Sequence, residues 1–449
     1  MTVTTRFAPS PTGRLHLGNL RAALINWLYA KANGGRLLLR IDDTDAARSA
    51  ERFVDAIRAD LAWLGIDVAG EERQSARFDR YEACFAELIA AGRVYRAYET
   101  PEELELRRKV LLGRGLPPVY DRAALALTDA DRTRLEAEGR RPHWRFRLDH
   151  DAPIGWQDLV RGEQRFEAAR LSDPVVRRAD GSWLYLLPSV IDDIDMGVTT
   201  VIRGEDHVSN TATQIQMFES LGTGLPEFAH VALLTGAEGK LSKRLGATGV
   251  DEFRAMGIEP EAVVAMLARL GTSDPVEPLV DRAPLIAGFD FARFGRAPAR
   301  FDEAELQALN ARIVHQLDWE RVQAELPEGM DRAGWEVIRA NLSTVAEAAD
   351  WWQVVTGPIA APTLSDEDRA FVAEAAGVAE SIDWAGPSWA ALTGALKQAT
   401  GRKGRALFLP LRLALTGREH GPDMAALLPL IGRDAAIARL RAAGQAEVR

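Results

Sequence analysis

The opening of the chain limits its fold more than any other stretch. Val3 to Phe7 is a short run rich in β-branched residues and reads as a buried strand. It passes through Arg6-Phe7-Ala8-Pro9-Ser10-Pro11-Thr12-Gly13-Arg14-Leu15-His16-Leu17-Gly18-Asn19 into a segment where Leu20, Ala23, Leu24, Trp27 and Leu28 recur at helical spacing, until Gly34-Gly35 stops it. Two prolines stiffen the first half of this loop, while Gly13 and Gly18 let backbone come close to a ligand. His16 can present ring N–H donors at the mouth of the helix, whose first backbone N–H groups and dipole favour an anion. Strand, loop and amphipathic helix in this order open a nucleotide-binding α/β unit. On these residues alone, a phosphate-handling loop and a plain Pro/Gly turn stand level.

At 449 residues the chain is too long for one compact core, so three or more domains are expected. There is no run of about 18 apolar residues and no basic-then-apolar start, which points to a soluble cytoplasmic protein without a membrane span. Cys84 is the only cysteine, which rules out internal disulfides and clusters of thiolate ligands. It shares an apolar helical stripe with Tyr81, Phe85 and Leu88 and reads as a buried structural thiol. The net charge of -10 does not advertise a nucleic-acid binder. A local basic face can nevertheless serve RNA while the remainder stays acidic. Arg402, Lys403, Arg405, Arg412 and Arg418 cluster with little acid between them, and a solvated helix face explains them equally well.

Arg36 to Ile41 forms a second strand ending in Asp42-Asp43-Thr44-Asp45, where the carboxyl ends of parallel strands usually carry ligand sites. These carboxylates could bind an ammonium group or a metal ion, and helix capping is expected of at least one. Helices follow around Phe53, Ile57 and Leu61 and around Tyr81, Phe85 and Leu88. Thr100-Pro101-Glu102-Glu103 has the chemistry of a capping box with proline at the first helical position, which predicts a helix to about Leu112. His143 to Leu148 alternates, and Val175 to Leu187 holds Ala179-Asp180-Gly181-Ser182 between two apolar arms, a β-hairpin pattern. A mixed α+β insertion is therefore expected over 95–187. The parallel-sheet pattern returns with Val198 to Arg203, a helix near Thr211 to Leu221, and Ala229 to Leu234. Beyond about residue 245 nearly every segment is helical.

Pro9-Ser10-Pro11-Thr12-Gly13-Arg14-Leu15-His16-Leu17-Gly18-Asn19, Arg40-Ile41-Asp42-Asp43-Thr44-Asp45, Arg203-Gly204-Glu205-Asp206-His207 and Lys240-Leu241-Ser242-Lys243-Arg244 together resemble the bacterial glutamyl-tRNA synthetases in order and separation. The stretch from Leu407 to Arg418 resembles that family's anticodon-binding region, so the likeness spans essentially the whole chain. It implies an α/β fold: a class I Rossmann-type catalytic domain over 1–94 and 188–240, with an inserted α+β acceptor-end-binding domain over 95–187. A stem-contact region with the K-x-S-K loop would follow over 241–309, and an all-α anticodon-binding half over 310–449.

The resemblance further implies ATP-dependent attachment of L-glutamate to the 3' end of tRNA(Glu) through a glutamyl-adenylate. The alternative is a non-discriminating enzyme that also, or mainly, charges tRNA(Gln). By motif position, His16, Lys243 and Lys240 would be catalytic, clamping the triphosphate. ATP would be bound by Pro11, Thr12, Gly13, His16, Gly18, Asn19, Asp206, Lys240, Leu241, Ser242, Lys243 and Arg244. Glutamate would be held by Arg6, Ala8, Ser10, Asp42, Tyr185, Ser189 and Arg203, since a planar guanidinium can grip a carboxylate with two hydrogen bonds. Which arginine takes which carboxylate stays open, and Tyr185 reads equally as a core aromatic. Magnesium is expected as part of the ATP substrate complex, held mostly by phosphates and water. No dedicated metal site is expected and the protein should be a monomer.

Two departures stand out. Asp42 occupies a place where the family usually has glutamate, shortening the carboxylate by one methylene. Some relatives carry a cysteine zinc site in the inserted domain, but the matching stretch here is Tyr95-Arg96-Ala97-Tyr98-Glu99, so no structural zinc is expected. In the helical half, Trp351 and Trp352 could stack on anticodon bases, though packing between helices is the better expectation.

Overall fold

A computed structural model describes residues 2–236, 249–360 and 362–445 of the chain. It divides into two compact units, Met1–Phe253 with Val263–Asp302 and Arg254–Ala262 with Glu303–Arg449. In chain order the first unit contains β1 (Thr4–Phe7), α1 (Leu17–Ala32), β2 (Arg36–Ile41), α2 (Glu51–Trp63), β3 (Glu71–Arg73), α3 (Phe78–Ala90) and β4 (Val94–Ala97). There follow α4 (Pro101–Gly113), α5 (Asp129–Ala137), β5 (His143–Phe146), β6 (Ile154–Asp158), β7 (Gly162–Phe166) and β8 (Val175–Arg177). The sheet elements then resume with α6 (Leu186–Asp195), β9 (Thr200–Gly204), α7 (Val208–Ser220), β10 (Glu227–Val231), β11 (Leu234–Thr235) and β12 (Ala299–Arg300).

β1, β2 and β3 run parallel, with Thr4 opposite Arg36 and Leu39 opposite Glu71. β9 and β10 form a second parallel pair, Thr200 opposite Glu227. The two meet where Thr199 N donates to Thr4 O at 2.9 Å and Thr4 N donates to Thr199 Oγ1 at 2.9 Å. The strand order thus reverses between β1 and β9, and ligands of open α/β sheets bind outside the carboxyl ends of the strands at that reversal. Arg6 ends β1 and Arg203 ends β9, one on each side of it. β10 is extended by the β6–β7 hairpin, with Phe228 paired to Asp158.

α1 is not the amphipathic helix that its apolar spacing suggested. Arg21 and Asn26 are buried along with Leu17, Leu20, Leu24, Ile25 and Leu28. Arg21 donates to Ala232 O at 2.7 Å and Leu270 O at 2.8 Å, and Asn26 Nδ2 donates to Ile202 O at 3.1 Å. These polar side chains satisfy backbone carbonyls of segments distant in sequence, as buried polar groups must.

The stretch expected as an insertion contributes β5 and β8 to the three-stranded antiparallel sheet β4-β5-β8, while its β6 and β7 join β10 and β9. α4 starts with the expected capping box, both Thr100 and Glu103 bonding back to the other's backbone. Cys84 is buried among Tyr81, Phe85 and Leu88, with its thiol pushed up by burial. The hairpin expected over Val175 to Leu187 closes through a short bridge at Arg177 and Trp183, where Arg178 N donates to Ser182 O at 2.9 Å and Leu184 N to Val176 O at 3.0 Å, with Gly181 at φ +89 in the turn. Its second arm passes into α6 at Leu186, because the apolar run there packs as a helix against α7.

The second unit has no strand among its described residues. Helices Asp366–Ser381 and Arg433–Gln445 pack so closely that a Cβ on Gly444 would lie 2.8 Å from Ala373 Cβ. No helix among the described residues is long and apolar enough to cross a membrane.

Candidate active site

The loop between β1 and α1 is tied down by its proline carbonyls. Asp42 N donates to Pro9 O at 3.0 Å and Ala50 N to Pro11 O at 3.1 Å, which fastens the loop to the end of β2. His16 is the N-cap of α1: its Nδ1 accepts from Gly18 N at 3.1 Å, while Asn19 Oδ1 accepts from His16 N at 3.2 Å. A neutral ring with Nδ1 as acceptor carries its hydrogen on Nε2. His16 therefore offers one ring donor, not two. Burial lowers its pKa, which favours this neutral form. Gly18 is explained without a ligand, since a Cβ there would sit 3.1 Å from His16 Cε1. Gly13 faces open space. Ser10 and Thr12 are exposed, Ala8 and Asn19 half-buried, and Pro11 buried.

One wall of the cleft is a buried lattice of arginines and acids. Arg40, at 0% exposure, donates through Nε to Asp42 Oδ1 at 2.7 Å, through Nη2 to Asp42 Oδ2 at 3.2 Å, and through Nη1 to Asp193 Oδ1 at 2.7 Å. Arg6 Nε donates to the same Asp193 oxygen at 3.0 Å. The terminal nitrogens of Arg6 have no partner among the described residues. Burial raises the Asp42 carboxyl to about 6 against the pull of Arg40, so it is ionised at neutral pH. Ser189 is fully buried behind this lattice, where its Oγ accepts from Arg40 Nη2 at 3.2 Å. Of the neighbouring carboxylates, Asp43 accepts from Ser75 N at 2.8 Å in a segment 32 residues on, and Asp45 accepts from Arg48 Nε at 2.7 Å within its own turn.

The other wall is built differently. Arg203 is buried, yet its four partners are all uncharged: Tyr185 OH at 3.0 Å, Thr211 Oγ1 at 2.6 Å, Gln214 Oε1 at 2.8 Å and His230 Nε2 at 3.3 Å. Burial lowers its pKa, but a guanidinium remains charged. A guanidinium has five N–H bonds, which leaves one Nη1 hydrogen unused. Tyr185, half-buried, accepts from that same nitrogen, so its own hydroxyl hydrogen is available beside it. Tyr185 is thus a polar participant and not merely a core aromatic. Arg6 lies close enough for its charge to act on Arg203. The buried charges gathered here are three arginines, Arg6, Arg40 and Arg203, and two carboxylates, Asp42 and Asp193, with Arg40 bonded to both carboxylates.

Asp206, expected near ATP, is exposed beside His207, 3.7 Å from its Nε2. Lys240, Leu241, Ser242, Lys243 and Arg244 lie outside the described residues. Sequence reading passed over Arg40, Asp193, Thr211, Gln214, His230 and Asp158. The signal for Asp193 was present: two consecutive aspartates, Asp192 and Asp193, inside the apolar helix α6 have no reason to be there unless paired.

In the second unit, the basic cluster is partly spent on structure. Arg402 pairs with Asp368 at 2.5 Å and Glu367 at 2.7 Å, Arg412 donates to Pro422 O at 3.0 Å, and Arg418 lies 4.4 Å over the ring of Trp351. Trp351 is buried, and Trp352 Nε1 donates to Glu328 O at 3.2 Å, as packing between helices requires. Lys403, Arg405 and Phe408 remain exposed.

Comparison with known proteins agrees with this architecture. Residues 2–308 match the family described as tRNA synthetases class I (E and Q), catalytic domain, and residues 333–444 match an anticodon binding domain. The chain is 66% identical over 442 residues to glutamate–tRNA ligase 1 of Novosphingobium aromaticivorans, covering 98% of this chain and 100% of that one. It is 65% identical over 447 residues to glutamate–tRNA ligase 2 of Erythrobacter litoralis, covering 98% of each. Its fold resembles the crystal structure of a glutamate tRNA ligase from Elizabethkingia meningosepticum in complex with its amino acid, with a TM-score of 0.86, 28% identity and 99% coverage of both chains. The matched catalytic and anticodon-binding families, with 66% identity over 98% of the chain to a glutamate–tRNA ligase, place the chain in the glutamate–tRNA ligase family of class I aminoacyl-tRNA synthetases.

Proposed function

We propose that the cleft between Arg6 and Arg203 binds L-glutamate and that the chain couples it to tRNA(Glu) in two steps. The observation that carries this reading is Arg203, a buried cation whose described partners are all neutral. An uncompensated buried charge is costly, and an anionic ligand removes the cost. Arg6 supplies the second cation for the second carboxylate, and Asp42 the anion for the ammonium group.

The α-carboxylate then attacks the α-phosphorus of ATP, the bond to the pyrophosphate oxygen breaks, and pyrophosphate leaves. Such a reaction is driven by positioning and charge stabilisation, not by a covalent protein intermediate. His16 contributes its Nε2 hydrogen and the helix N-terminus behind it. Lys243, with Lys240 assisting, would act from the other side of the triphosphate. Magnesium enters with ATP as part of the substrate. In the second step a terminal ribose hydroxyl of the tRNA takes the acyl group and AMP leaves.

Glutamine fits the same cleft poorly, because its amide leaves one arginine without a charged partner. Sites built around a buried polar partner discriminate by about 10⁴-fold or more. The test is ATP–pyrophosphate exchange with glutamate, run with and without tRNA, followed by charging of purified tRNA(Glu) and tRNA(Gln) separately. Exchange that depends on glutamate, with transfer to tRNA(Glu), supports the reading. Glutamate transfer to neither tRNA under conditions of active exchange would refute the proposed second step.

A further inference from the structure

Behind Arg203 lies a second pair of ionisable groups that the chemistry above does not touch. His230 on β10 is at 0% exposure and Asp158 at the end of β6 is at 1%. Pairing of Phe228 with Asp158 across these parallel strands sets the carboxylate against the ring two residues further on. Asp158 Oδ2 lies 2.5 Å from His230 Nδ1, and Oδ1 accepts from the backbone of His230 at 3.1 Å, Val160 at 3.1 Å and Arg161 at 2.9 Å. Burial would raise this carboxyl, but the hydrogen bonds from His230 and Arg161 outweigh it and hold its pKa below the ordinary value.

Arginine can only donate hydrogen bonds. Arg203 Nε, 3.3 Å from His230 Nε2, therefore needs a lone pair on that nitrogen, and Thr211 Oγ1 lies 2.8 Å from the same atom. The Arg203 contact requires a neutral ring with its hydrogen on Nδ1, the tautomer that Asp158 selects, and the Thr211 hydroxyl, able to donate or accept, is compatible with it. We infer that Asp158 and His230 are positioning residues for glutamate: Asp158 fixes the tautomer, and the Nε2 lone pair orients Arg203 so that its spare Nη1 hydrogen and the Tyr185 hydroxyl meet the substrate carboxylate. This rests on Arg203 being a carboxylate binder. A carboxylate set directly on Arg203 would orient it too, but would also compete with the substrate for its charge. The imidazole carries the orientation while holding the negative charge one ring further away.

Asp158→Asn is the decisive variant. Its oxygen must stay with the three backbone donors on Oδ1, so its NH₂ turns toward Nδ1 and imposes the wrong tautomer. KM for glutamate in tRNA-supported exchange should rise about ten- to a hundredfold, as expected for a lost hydrogen bond to a charged group. KM for ATP should stay within about twofold. His230→Asn keeps a donor for Asp158 but cannot reach Arg203, and carries the same expectation should Asp158→Asn fail to fold. His230→Gln, which returns an acceptor toward Arg203, should recover part of the loss. A glutamate KM within about twofold of the parent for Asp158→Asn and His230→Asn, or an equal rise in both KM values, overturns the inference. Arg203→Ala separates the two levels. If it leaves glutamate affinity intact, the carboxylate reading of the cleft fails; if it abolishes affinity while both dyad variants do not alter it, only the positioning role falls.

Discussion

Replacing Arg6 with alanine tests the cleft while sparing the fold, and the structure says why. Arg6 is 4% exposed and its Nε bonds Asp193, so its loss would ordinarily strand a buried carboxylate at a cost of about 3 to 5 kcal/mol. Asp193 is not stranded, because Arg40 Nη1 reaches the same oxygen at 2.7 Å. The stability loss should therefore be that of one hydrogen bond to a charged group, about 1.5 to 3 kcal/mol. The substrate loses more. The two terminal nitrogens of Arg6 have no described partner, and a carboxylate gripped by both would forfeit two such bonds, about 3 to 6 kcal/mol. That corresponds to about 10² to 10⁴ in kcat/KM for glutamate. Exchange kinetics at saturating ATP with tRNA present would measure it, alongside a urea titration to follow stability. Arg6→Lys, which keeps the charge but not the fork, should recover only part of the loss. A kcat/KM for Arg6→Ala within about threefold of the parent, with the fold intact, would refute the assignment of Arg6 to the substrate.

Asp42 gives a pH dependence. Its folded pKa is raised from 3.8 to about 6 by burial, so between those values the folded state holds a proton that the unfolded chain does not. This group alone thus makes the fold more stable as pH falls through that window, and less stable as pH rises. Function runs the other way: the ammonium needs the carboxylate, so KM for glutamate should climb as pH drops below about 6, and that dependence should vanish in Asp42→Asn. Arg40→Met would leave Asp42 and Asp193 without their fully buried partner and should cost about 3 to 5 kcal/mol, visible as an early transition in urea. His16→Asn keeps an N-cap acceptor but lacks the Nε2 donor. Helix stability should hold while kcat for exchange falls about 10²- to 10³-fold; a kcat unchanged by this substitution would remove His16 from the chemistry.

The strand boundaries were legible because burial writes itself into apolar spacing: Arg36 to Ile41 is a strand as expected, and the capping box at Thr100 sits where its residues promised. The motif residues Arg6, Asp42 and Arg203 come near one another for a related reason, since each lies at or just past the carboxyl end of a strand of the sheet, and Tyr185 reaches Arg203 from the N-cap of α6. What spacing could not convey is the partner of a polar side chain. Nothing local to Arg21 and Asn26 on α1 reveals the distant backbone carbonyls they reach. Asp158 and His230 are likewise separated by most of the insertion's second half and α6 to α7, and only the register of β6 on β10 brings them together. Ser189 was read as a glutamate binder, and what the sequence did not show is its hydrogen bond from Arg40, made with no exposed surface.

The reciprocal bonds between His16 and Asn19 bear on how this site can drift over evolutionary time. Because the histidine ring completes the first turn of α1, its aim is inherited from helix formation, and anything that unwinds that turn also misdirects the Nε2 hydrogen. The wound turn thus needs an acceptor for the His16 N–H at position 19, which asparagine supplies and which several other polar side chains could supply as well. Substitution there is bounded by helix chemistry, and the lineage is free to exchange residues at the end of the motif so long as the turn stays wound.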